Sequence, residues 1–424
     1  MSVALTRASQ LLTLVTNTGD DDTAARAGAA MAELGIVEQG TIVFDEDAIT
    51  WVGPHAEFLA KHEAGELPVD AIHDCAGAVI MPALVDPHTH LVWAGDRRDE
   101  LELRLRGADY EQIFAAGGGI LSSVRQTEAA SEQQLYAQSL ARIERMRACG
   151  ATTFEIKSGY GLSLELELRQ LRVARRLRDE AGFRIKATCL AAHAFPERAR
   201  ASPLARANFI NEICEVILPA VVAEGLADYA DVFCDRGAFT KAEADQVLTK
   251  AAALGLDLRV HANEFGHTGG AELAAEHRAK SADHLLYLND HERQALREAG
   301  VVATLLPGTS LVLGKPYADG RALIDANVPV AVASDCNPGS CAFENLAMVL
   351  ALACYGCKLT PAEAVVATTH NAAASLGLSA SLGRLAPSMS ADLLVLATDD
   401  YRDLVYHAAS PLVREVWSRG HRVS

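Results

Sequence analysis

Histidine and carboxylate side chains lie at the ends of several short apolar segments of this chain, in a pattern that could hold a metal ion. ALVDPHTH ends with His88 and His90, LDLRVHANE contains His261, KSADHL contains His284, and PVAVASDCN contains Asp335. Three imidazoles from this set and one carboxylate make a site for a divalent cation with room for a water molecule. A lone histidine is more often a surface or hydrogen-bonded core residue, so a metal site requires that these segment ends converge.

They converge if the segments are strands of one parallel barrel. Short apolar segments alternate with longer amphipathic ones through the middle of the chain, which is the pattern of βα units. Eight strands are predicted: ALVDPHTH, TTFEIKSG, FRIKATCLAAHA, DYADVFCD, LDLRVHANE, KSADHL, VVATLLPG and PVAVASDCN. Eight such strands close a TIM-like (β/α)8 barrel of the α/β class, with working residues at their carboxyl ends. We therefore expect strands one, five, six and eight to direct these side chains into one mouth.

The two chain ends differ from this middle. They contain short strand-like stretches such as GIVEQGTIVFDEDAITWVGP and VREVWSRGHRV. This predicts a small composite β-sandwich domain of residues 1–81 plus 386–424, beside a barrel of residues 82–385. The long connection of residues 98–119 after the first strand is expected to form an elaborated loop and helix where a lid could sit.

Composition limits the class of protein and its partners. The chain has 424 residues, is 50% hydrophobic, and carries 55 acidic against 38 basic residues, for a net charge of −17. Such a surface repels nucleic acid and anionic membranes, so neither is expected as a partner. No segment approaches the ~20 apolar residues that span a bilayer. Nine scattered cysteines indicate free thiols in a reducing cytoplasm, and we expect Cys354 and Cys357 to be apolar residues on one helix face rather than a redox or zinc pair.

The pattern at the strand ends resembles the signature of the amidohydrolase superfamily. That signature has H-x-H on the first strand, histidines on the fifth and sixth, and an aspartate on the eighth. Many binuclear members also have a carboxylated lysine on the fourth strand, whereas DYADVFCDRGAF contains no lysine, which favours one metal ion per chain. The resemblance implies that the metal, Zn²⁺ or Fe, is bound by His88, His90, His261 and Asp335, since this donor set suits both ions.

Longer motifs narrow the resemblance to one branch of the superfamily, which opens an imidazolone ring in histidine degradation. The similar segments are HTHLVWAGDRRDELELRLRGADYEQIFAAGGGI, TTFEIKSGYGL, LAAHAFPE, DVFCDRGAF, HANEF, SADHL, ATLLPGTS and SDCNPGS. With the terminal β segments, the resemblance covers nearly the whole chain. It implies hydrolysis of the cyclic amide of 4-imidazolone-5-propanoate to N-formimidoyl-L-glutamate. Three parts of the chain depart from the branch pattern: Asn263 within HANEF, and the segments SSVRQTEAAS and CAFENLAMVLALACYGCKL. None of these departures falls on an expected metal ligand.

The resemblance also implies roles for other residues at the strand ends. Asp335 would take a proton from the attacking water, His284 would stabilise the oxyanion, and Glu264 would move a proton to the leaving nitrogen, although the sequence leaves open which one is the decisive base. The alternative for Glu264 is a solvated loop carboxylate. The substrate carboxylate needs a planar bidentate cation, for which we expect Arg97 rather than Arg98. The other expected substrate contacts are Tyr160, His193, Asn337, Gly339 and Ser340.

Two alternative functions stay open at this point. Another mononuclear amidohydrolase, such as a deaminase acting on a small heterocycle, would share the metal site but would offer no carboxylate to Arg97 and Tyr160. A non-catalytic relative that kept the barrel for assembly would be expected to lose metal ligands, and all four are present in the sequence. We also expect a homodimer, since barrel proteins with an added β domain often dimerise.

Overall fold

The computed structural model describes residues 1–16, 23–108 and 118–424. Its strands, in chain order, are β1 (Ser2–Leu12), β2 (Ile36–Asp45), β3 (Ala48–Pro54), β4 (Ala71–Asp74), β5 (Ile80–Pro82), β6 (Leu84–Asp86), β7 (Ala151–Lys157), β8 (Arg184–Ala192), β9 (Tyr229–Cys234), β10 (Asp257–Ala262), β11 (Ser281–His284), β12 (Val302–Leu305), β13 (Val330–Val332), β14 (Leu393–Leu396), β15 (Val413–Ser418) and β16 (His421–Arg422).

Strands β6 to β13 form a sheet of eight parallel strands in which spatial order follows chain order. The first and last strands meet just beyond their carboxyl ends, where Thr89 pairs with Cys336 and the backbone N–H of His90 donates to the carbonyl of Cys336 at 3.0 Å. The sheet is thereby nearly closed into a barrel. The predicted (β/α)8 barrel is confirmed, and each predicted strand corresponds to one strand of the sheet.

Helices connect the barrel strands and pack against them. The helix Glu132–Ala148 begins with a capping box between Ser131 and Gln134, and Lys241–Ala253 begins with one between Thr240 and Glu243. The described α-helices are His55–Glu63, Arg98–Leu105, Ile120–Ala129, Glu132–Ala148, Leu164–Asp179, Pro203–Glu212, Leu218–Ala223, Lys241–Ala253, Gly270–Glu276, Asp290–Ala299, Pro307–Leu313, Gly320–Asp325, Leu346–Cys357, Pro361–Thr368, His370–Ser375 and Asp403–Tyr406, with 3-10 turns at Gly28–Ala32 and Glu197–Arg200 and a π-helical turn at Ile213–Ile217.

The strands of both chain ends form a second, mixed sheet. Its order is β16-β15-β14-β5-β1-β2-β3, with β4 also paired to β1. The two chain ends join where β14 runs antiparallel to β5, with Leu394 opposite Met81. A separate apolar core that includes Leu5, Phe44 and Trp417 lies on this sheet. The prediction that strands from both chain ends come together is confirmed: they pair into one continuous mixed sheet, while a sandwich domain of residues 1–81 plus 386–424 stays a prediction.

Two further expectations concern the connection after β6 and the cysteine pair. The helix Arg98–Leu105 forms as predicted, while residues 109–117 lie outside the described residues, so the lid stays a prediction. Cys354 and Cys357 both lie on the helix Leu346–Cys357 as free thiols, as expected. Across the described ranges, no helix combines the length and apolar character needed to cross a membrane.

Candidate active site

A cavity of about 640 Å³ opens at the carboxyl ends of the barrel strands. Of the residues singled out as candidate site residues from the sequence, His88 alone does not line it, because this side chain is fully buried beneath the cavity. The candidate site residues that line the cavity are His90, Arg97, Tyr160, His193, His261, Glu264, His284, Asp335, Asn337, Gly339 and Ser340.

The four expected metal ligands converge at the bottom of this cavity. Nε2 of His88 and Nε2 of His90 lie 3.5 and 3.4 Å from the same oxygen, Oδ1 of Asp335. The ring of His261 is centred 4.6 Å from the ring of His88. One ligand atom from each of His88, His261 and His284 also falls within 4.8 Å of the others. The structure therefore brings His284 to the same cluster as the four expected ligands.

The donor atoms of this cluster suit a divalent cation. In the part of the chain that the structure describes, Nε2 of His88 and Nε2 of His261 are buried without a hydrogen-bond partner. Buried polar atoms of this kind are costly unless another group satisfies them. Burial lowers the pKa of His90 and the pKa of His284 to about 3, so both rings are neutral and able to ligate. Together with the carboxylate of Asp335, this donor set suggests a divalent metal.

His88 and Asp335 show that the cluster favours a positive charge. Burial and the charge of Lys157 oppose protonation of His88, yet the carboxylates of Asp283 and Asp335 raise its pKa to about 9. Burial would raise the pKa of Asp335, but the neighbouring imidazoles of His88 and His90 hold it well below its usual range. Asp335 is thus ionised, and a cation between it and the imidazoles would be stabilised.

Two buried carboxylates hold the outer nitrogens of two expected ligands. Nδ1 of His88 lies 2.7 Å from Oδ2 of Asp283, and Nδ1 of His261 lies 2.9 Å from Oδ2 of Asp231. The contact of His88 is a hydrogen bond, and that of His261 is an ion-pair contact without hydrogen-bond geometry. Both Nε2 atoms face away from these carboxylates and are left for the cluster, as in metal-binding histidines. Sequence reasoning missed Asp231 and gave Asp283 no role. The available signal was an acidic residue within each predicted buried strand.

The backbone is strained where the cluster is formed. His284 has a φ of +78° and Asp335 a φ of +50°, both in the left-handed region that residues other than glycine rarely adopt. Asn263, between the expected ligand His261 and Glu264, has a φ of +54°. Such strain concentrates at functional sites, because the surrounding structure must hold it in place.

Glu264 is a buried carboxyl group beside the cluster. It is 6% exposed, and its Oε2 lies 3.8 Å from Nδ1 of His284. Its backbone N–H donates to Oδ2 of Asp235 at 2.6 Å, which fixes the loop after β10. Burial, with the charge of Asp335 as the next cause, raises the pKa of Glu264 to about 8. Glu264 is thus not the solvated loop carboxylate that the sequence left open, and it holds a proton at neutral pH.

Two arginines share one carboxylate at the side of the cavity. Nε of Arg97 donates to Oε2 of Glu100 at 2.8 Å, and Nη2 of Arg104 donates to Oε1 of Glu100 at 3.0 Å. Nη1 of Arg97 lies over Gly339, where a Cβ atom would be only 1.8 Å from it. This group carries one net positive charge, as binding of one substrate carboxylate requires. Sequence reasoning missed Glu100 and Arg104, although their i, i+4 spacing on a predicted helix was visible.

Arg98 lies away from the cavity, and the turn after Asp335 lies at the cavity, as the sequence predicted for each. The side chain of Arg98 is 86% exposed and faces solvent. Oδ1 of Asn337 accepts the backbone N–H groups of Gly339 and Ser340, both at 2.8 Å, while its Nδ2 donates to the carbonyl of Asp335 at 2.7 Å. The side chain of Asn337 is therefore engaged within the turn, where it holds Gly339 and Ser340 at the cavity.

Tyr160 and His193 face the cavity from neighbouring connections. Their rings are centred 5.6 Å apart, and His193 stacks on His90 at 5.1 Å. Nδ1 of His193 lies 3.1 Å from the carbonyl of Gly159, which leaves its Nε2 for a ligand. The loop that carries Tyr160 is held by Glu167, whose carboxylate accepts the backbone N–H of Gly159 at 3.1 Å. Sequence reasoning missed Glu167.

Comparison with known proteins agrees with this fold. Residues 79–423 match the Amidohydrolase family. A triazine hydrolase variant has the same fold, with a TM-score of 0.72 at 16% identity over 100% of this chain and 94% of that chain. An adenosine deaminase from Xanthomonas campestris, solved with bound zinc, gives a TM-score of 0.70 at 17% identity over 99% and 92% of the two chains. This chain therefore belongs to the amidohydrolase family.

Relatives at higher identity point to one branch of that family. The imidazolonepropionase of Geobacillus kaustophilus is 42% identical over 401 residues, which cover 95% of this chain and 93% of that protein. The imidazolonepropionase of Geobacillus thermodenitrificans is 44% identical with the same coverage. That of Deinococcus deserti is 43% identical over 396 residues, or 93% of this chain and 95% of the relative. The resemblance inferred from the motifs is thus confirmed.

Proposed function

We propose that this chain hydrolyses the cyclic amide of 4-imidazolone-5-propanoate to N-formimidoyl-L-glutamate, a step of histidine degradation. One observation carries the proposal: the same cavity holds a cluster suited to a divalent metal and the group of Arg97, Arg104 and Glu100, which carries one net positive charge. The metal cluster would serve hydrolysis of an amide, and the arginine group would bind a carboxylate. The names of the relatives at 42% to 44% identity support the same reaction.

The proposed cofactor is one Zn²⁺ or Fe per chain, held by His88, His90, His261 and Asp335. A divalent metal bound there would lower the pKa of a coordinated water to about 7, against about 15.7 for bulk water. A single ion is favoured because β9 carries no lysine that could be carboxylated to bridge two metals.

Asp335 and His284 serve the attack on the amide carbonyl. Oδ2 of Asp335 accepts a hydrogen bond from Oγ1 of Thr309 at 2.6 Å, so its Oδ1 is the oxygen that faces His88 and His90. Asp335 is ionised and can accept a proton from the attacking water. His284 is neutral and can donate a hydrogen bond to the carbonyl oxygen as negative charge develops there, a contribution typically worth about 3–4 kcal/mol.

Glu264 supplies the proton that the leaving nitrogen requires. Because the pKa of its carboxyl group is raised to about 8, Glu264 is mostly protonated at neutral pH. A carboxylic acid in this state donates rather than accepts a proton. We therefore propose Glu264 as the general acid and Asp335 as the general base.

The substrate carboxylate is bound at the side of the cavity. Glu100 accepts hydrogen bonds from both Nε and Nη2 of Arg97, so Nη1 is the nitrogen left for the substrate. Arg104 adds a second guanidinium, and burial of Tyr160 raises the pKa of its phenol, which keeps it a hydrogen-bond donor.

A deaminase of a neutral heterocycle would have no use for this charge, and a non-catalytic relative would not need the metal cluster. His193 is placed to contact the ring.

The remaining parts of the proposal concern organisation. We propose that the chain works in the cytoplasm, because its nine cysteines are free thiols, which is typical of a reducing compartment. We also propose a homodimer, since barrel proteins with an added β domain often dimerise. The proposed domains are residues 1–81 plus 386–424 and residues 82–385. Sedimentation velocity tests the dimer, which a monomer at micromolar concentration would contradict.

The reaction is tested by product analysis in isotopic water. Incubation of the purified chain with 4-imidazolone-5-propanoate in H₂¹⁸O should give N-formimidoyl-L-glutamate with one ¹⁸O in the α-carboxylate, as read by mass spectrometry. Unchanged substrate under conditions where the chain contains metal would contradict the proposal. A matched variant, His261→Ala, should give no product.

A further inference from the structure

A layer of buried charge lies directly beneath the imidazoles. Lys157, the last residue of β7, is fully buried, and its Nζ lies 2.9 Å from Oε1 of Glu155 and 2.9 Å from Oδ2 of Asp231. The same Nζ lies 3.8 Å from Oδ2 of Asp283, and Nη2 of Arg259 lies 3.6 Å from that oxygen. Three carboxylates and two cations thus share an enclosed space, which requires well-ordered partners.

The carboxylate oxygens that meet Lys157 are the ones that meet the imidazoles. Oδ2 of Asp231 lies 2.9 Å from Nζ of Lys157 and also 2.9 Å from Nδ1 of His261. Oδ2 of Asp283 is the oxygen 2.7 Å from Nδ1 of His88. Among the residues that the structure describes, Lys157 alone is ion-paired with both carboxylates.

Lys157 is also connected to the H-x-H segment through the carboxylate of Glu155. Oε1 of Glu155 contacts Lys157, while Oε2 of Glu155 accepts the backbone N–H of Thr89 at 3.2 Å. Thr89 stands between His88 and His90, and its Oγ1 donates to the carbonyl of Glu155 at 2.6 Å. One ammonium group is therefore connected to three of the four expected metal ligands.

We propose that Lys157 is the positioning residue of the metal site. It fixes Asp231 and Asp283, and these hold His261 and His88 with Nε2 directed at the cation. The inference rests on the proposed metal site, although it requires no particular substrate. Without the ammonium group, Asp231 loses the partner that opposes its rotation, and the carboxylates repel one another. Loss of such partners typically weakens metal binding about 10- to 100-fold.

The test measures the zinc affinity of the full-length chain by competition with a chromogenic chelator. Lys157→Met should weaken zinc binding by about 10- to 100-fold. The double variant Lys157→Met/Glu155→Gln removes the lysine together with one carboxylate and so keeps the net charge of the buried layer. It serves as the test if the single variant does not fold. It should show the same loss. Zinc affinity within about twofold of the parent in the folded double variant would overturn the proposal.

A matched control and a coupling measurement separate positioning from general destabilisation. Nζ of Lys186 lies 2.7 Å from Oδ1 of Asp228, which directly precedes the amino end of β9, whereas the cavity lies at the carboxyl ends of the strands. Lys186→Met should lower the melting temperature and leave zinc affinity unchanged. Asp231→Asn should weaken zinc binding, and combining it with Lys157→Met should cost less than the sum of the two single losses, since both changes act on His261. Full additivity would contradict the inferred route.

Zinc as the probe keeps this inference distinct from the proposed reaction. If the parent binds zinc tightly and turns over no imidazolone, the proposed function fails while the role of Lys157 can still be measured. If the parent is active and the lysine variants bind zinc like the parent, the role of Lys157 fails and the reaction stands.

Discussion

The floor of the cavity and its wall are built in different ways. The floor is made of side chains at the ends of the barrel strands, and buried carboxylates hold it from below; its members are His88, His90, His261, His284 and Asp335. The wall comes from the connections after the first and last barrel strands, and a single carboxylate, Glu100, holds it; its members are Arg97, Glu100, Arg104 and residues 337–340.

The floor and the wall therefore serve different purposes: the floor serves the reaction, and the wall serves recognition of the substrate. In the proposed reaction the floor would hold a cation, accept a proton and stabilise an oxyanion, and Glu264 beside it would protonate the leaving nitrogen. The wall adds charge that only a substrate with a carboxylate can use. Changes in the floor should therefore abolish turnover of every substrate, whereas changes in the wall should raise KM for carboxylate substrates and leave neutral analogues unaffected.

The largest effect is expected from Asp335→Ala in the floor. This variant removes both a ligand and the proposed base, so kcat should fall by at least about 10³-fold, because metal assistance is worth several kcal/mol. Metal content, measured by mass spectrometry of the purified protein, should fall with it. Full turnover by a metal-free Asp335→Ala protein would show that the floor does not perform the reaction.

Glu264→Gln should lower kcat by about 10²- to 10⁴-fold, since the amide cannot transfer a proton. In the parent, kcat/KM should fall as the pH rises through about 8, because the raised pKa keeps Glu264 protonated below that value and the active form is lost above it. The pH profile checks this assignment. The same alkaline limb in the residual activity of Glu264→Gln would assign it to another group.

Arg97→Lys tests the wall. It keeps the charge and removes the planar edge, so KM for 4-imidazolone-5-propanoate should rise by about 10- to 100-fold, the equivalent of a lost charge-assisted contact. kcat should change little, and Arg98→Lys is the matched control because Arg98 faces solvent. Unchanged kinetics for Arg97→Lys would show the substrate assignment to be wrong.

Glu100→Gln should have the smallest effect, with KM raised by less than about tenfold. The change frees the guanidinium of Arg97 from its fixed position, yet it also increases the positive charge offered to the substrate, so the two consequences partly cancel. Steady-state kinetics with the substrate and with a 5-methyl imidazolone lacking the propionate checks this. A loss of turnover on the neutral analogue would place Glu100 in the floor's chemistry.

The sequence predicted the floor better than the wall for a physical reason. His88, His261 and Asp335 end apolar segments of strand length, so closure of the barrel alone brings them together. Glu100 and Arg104 lie on a polar helix, where nothing in the pattern distinguishes a cavity face from a solvated one.

The buried layer beneath the floor was missed for another reason. Lys157, Asp231 and Arg259 are charged residues inside strands, and their partners come from strands far apart in the chain. Only the strand order shows that they meet. The mixed character of the terminal sheet likewise depends on the parallel pairing of β1 with β4 and β5, which local patterning does not encode.

The most direct test of the account is a metal titration of the chelator-treated chain, followed by the loss of imidazolone absorbance. The account predicts no turnover without metal and a linear rise in activity that ends at one Zn²⁺ or Fe²⁺ per chain. Full activity in the metal-free protein, or a rise that ends only at two ions per chain, would contradict it.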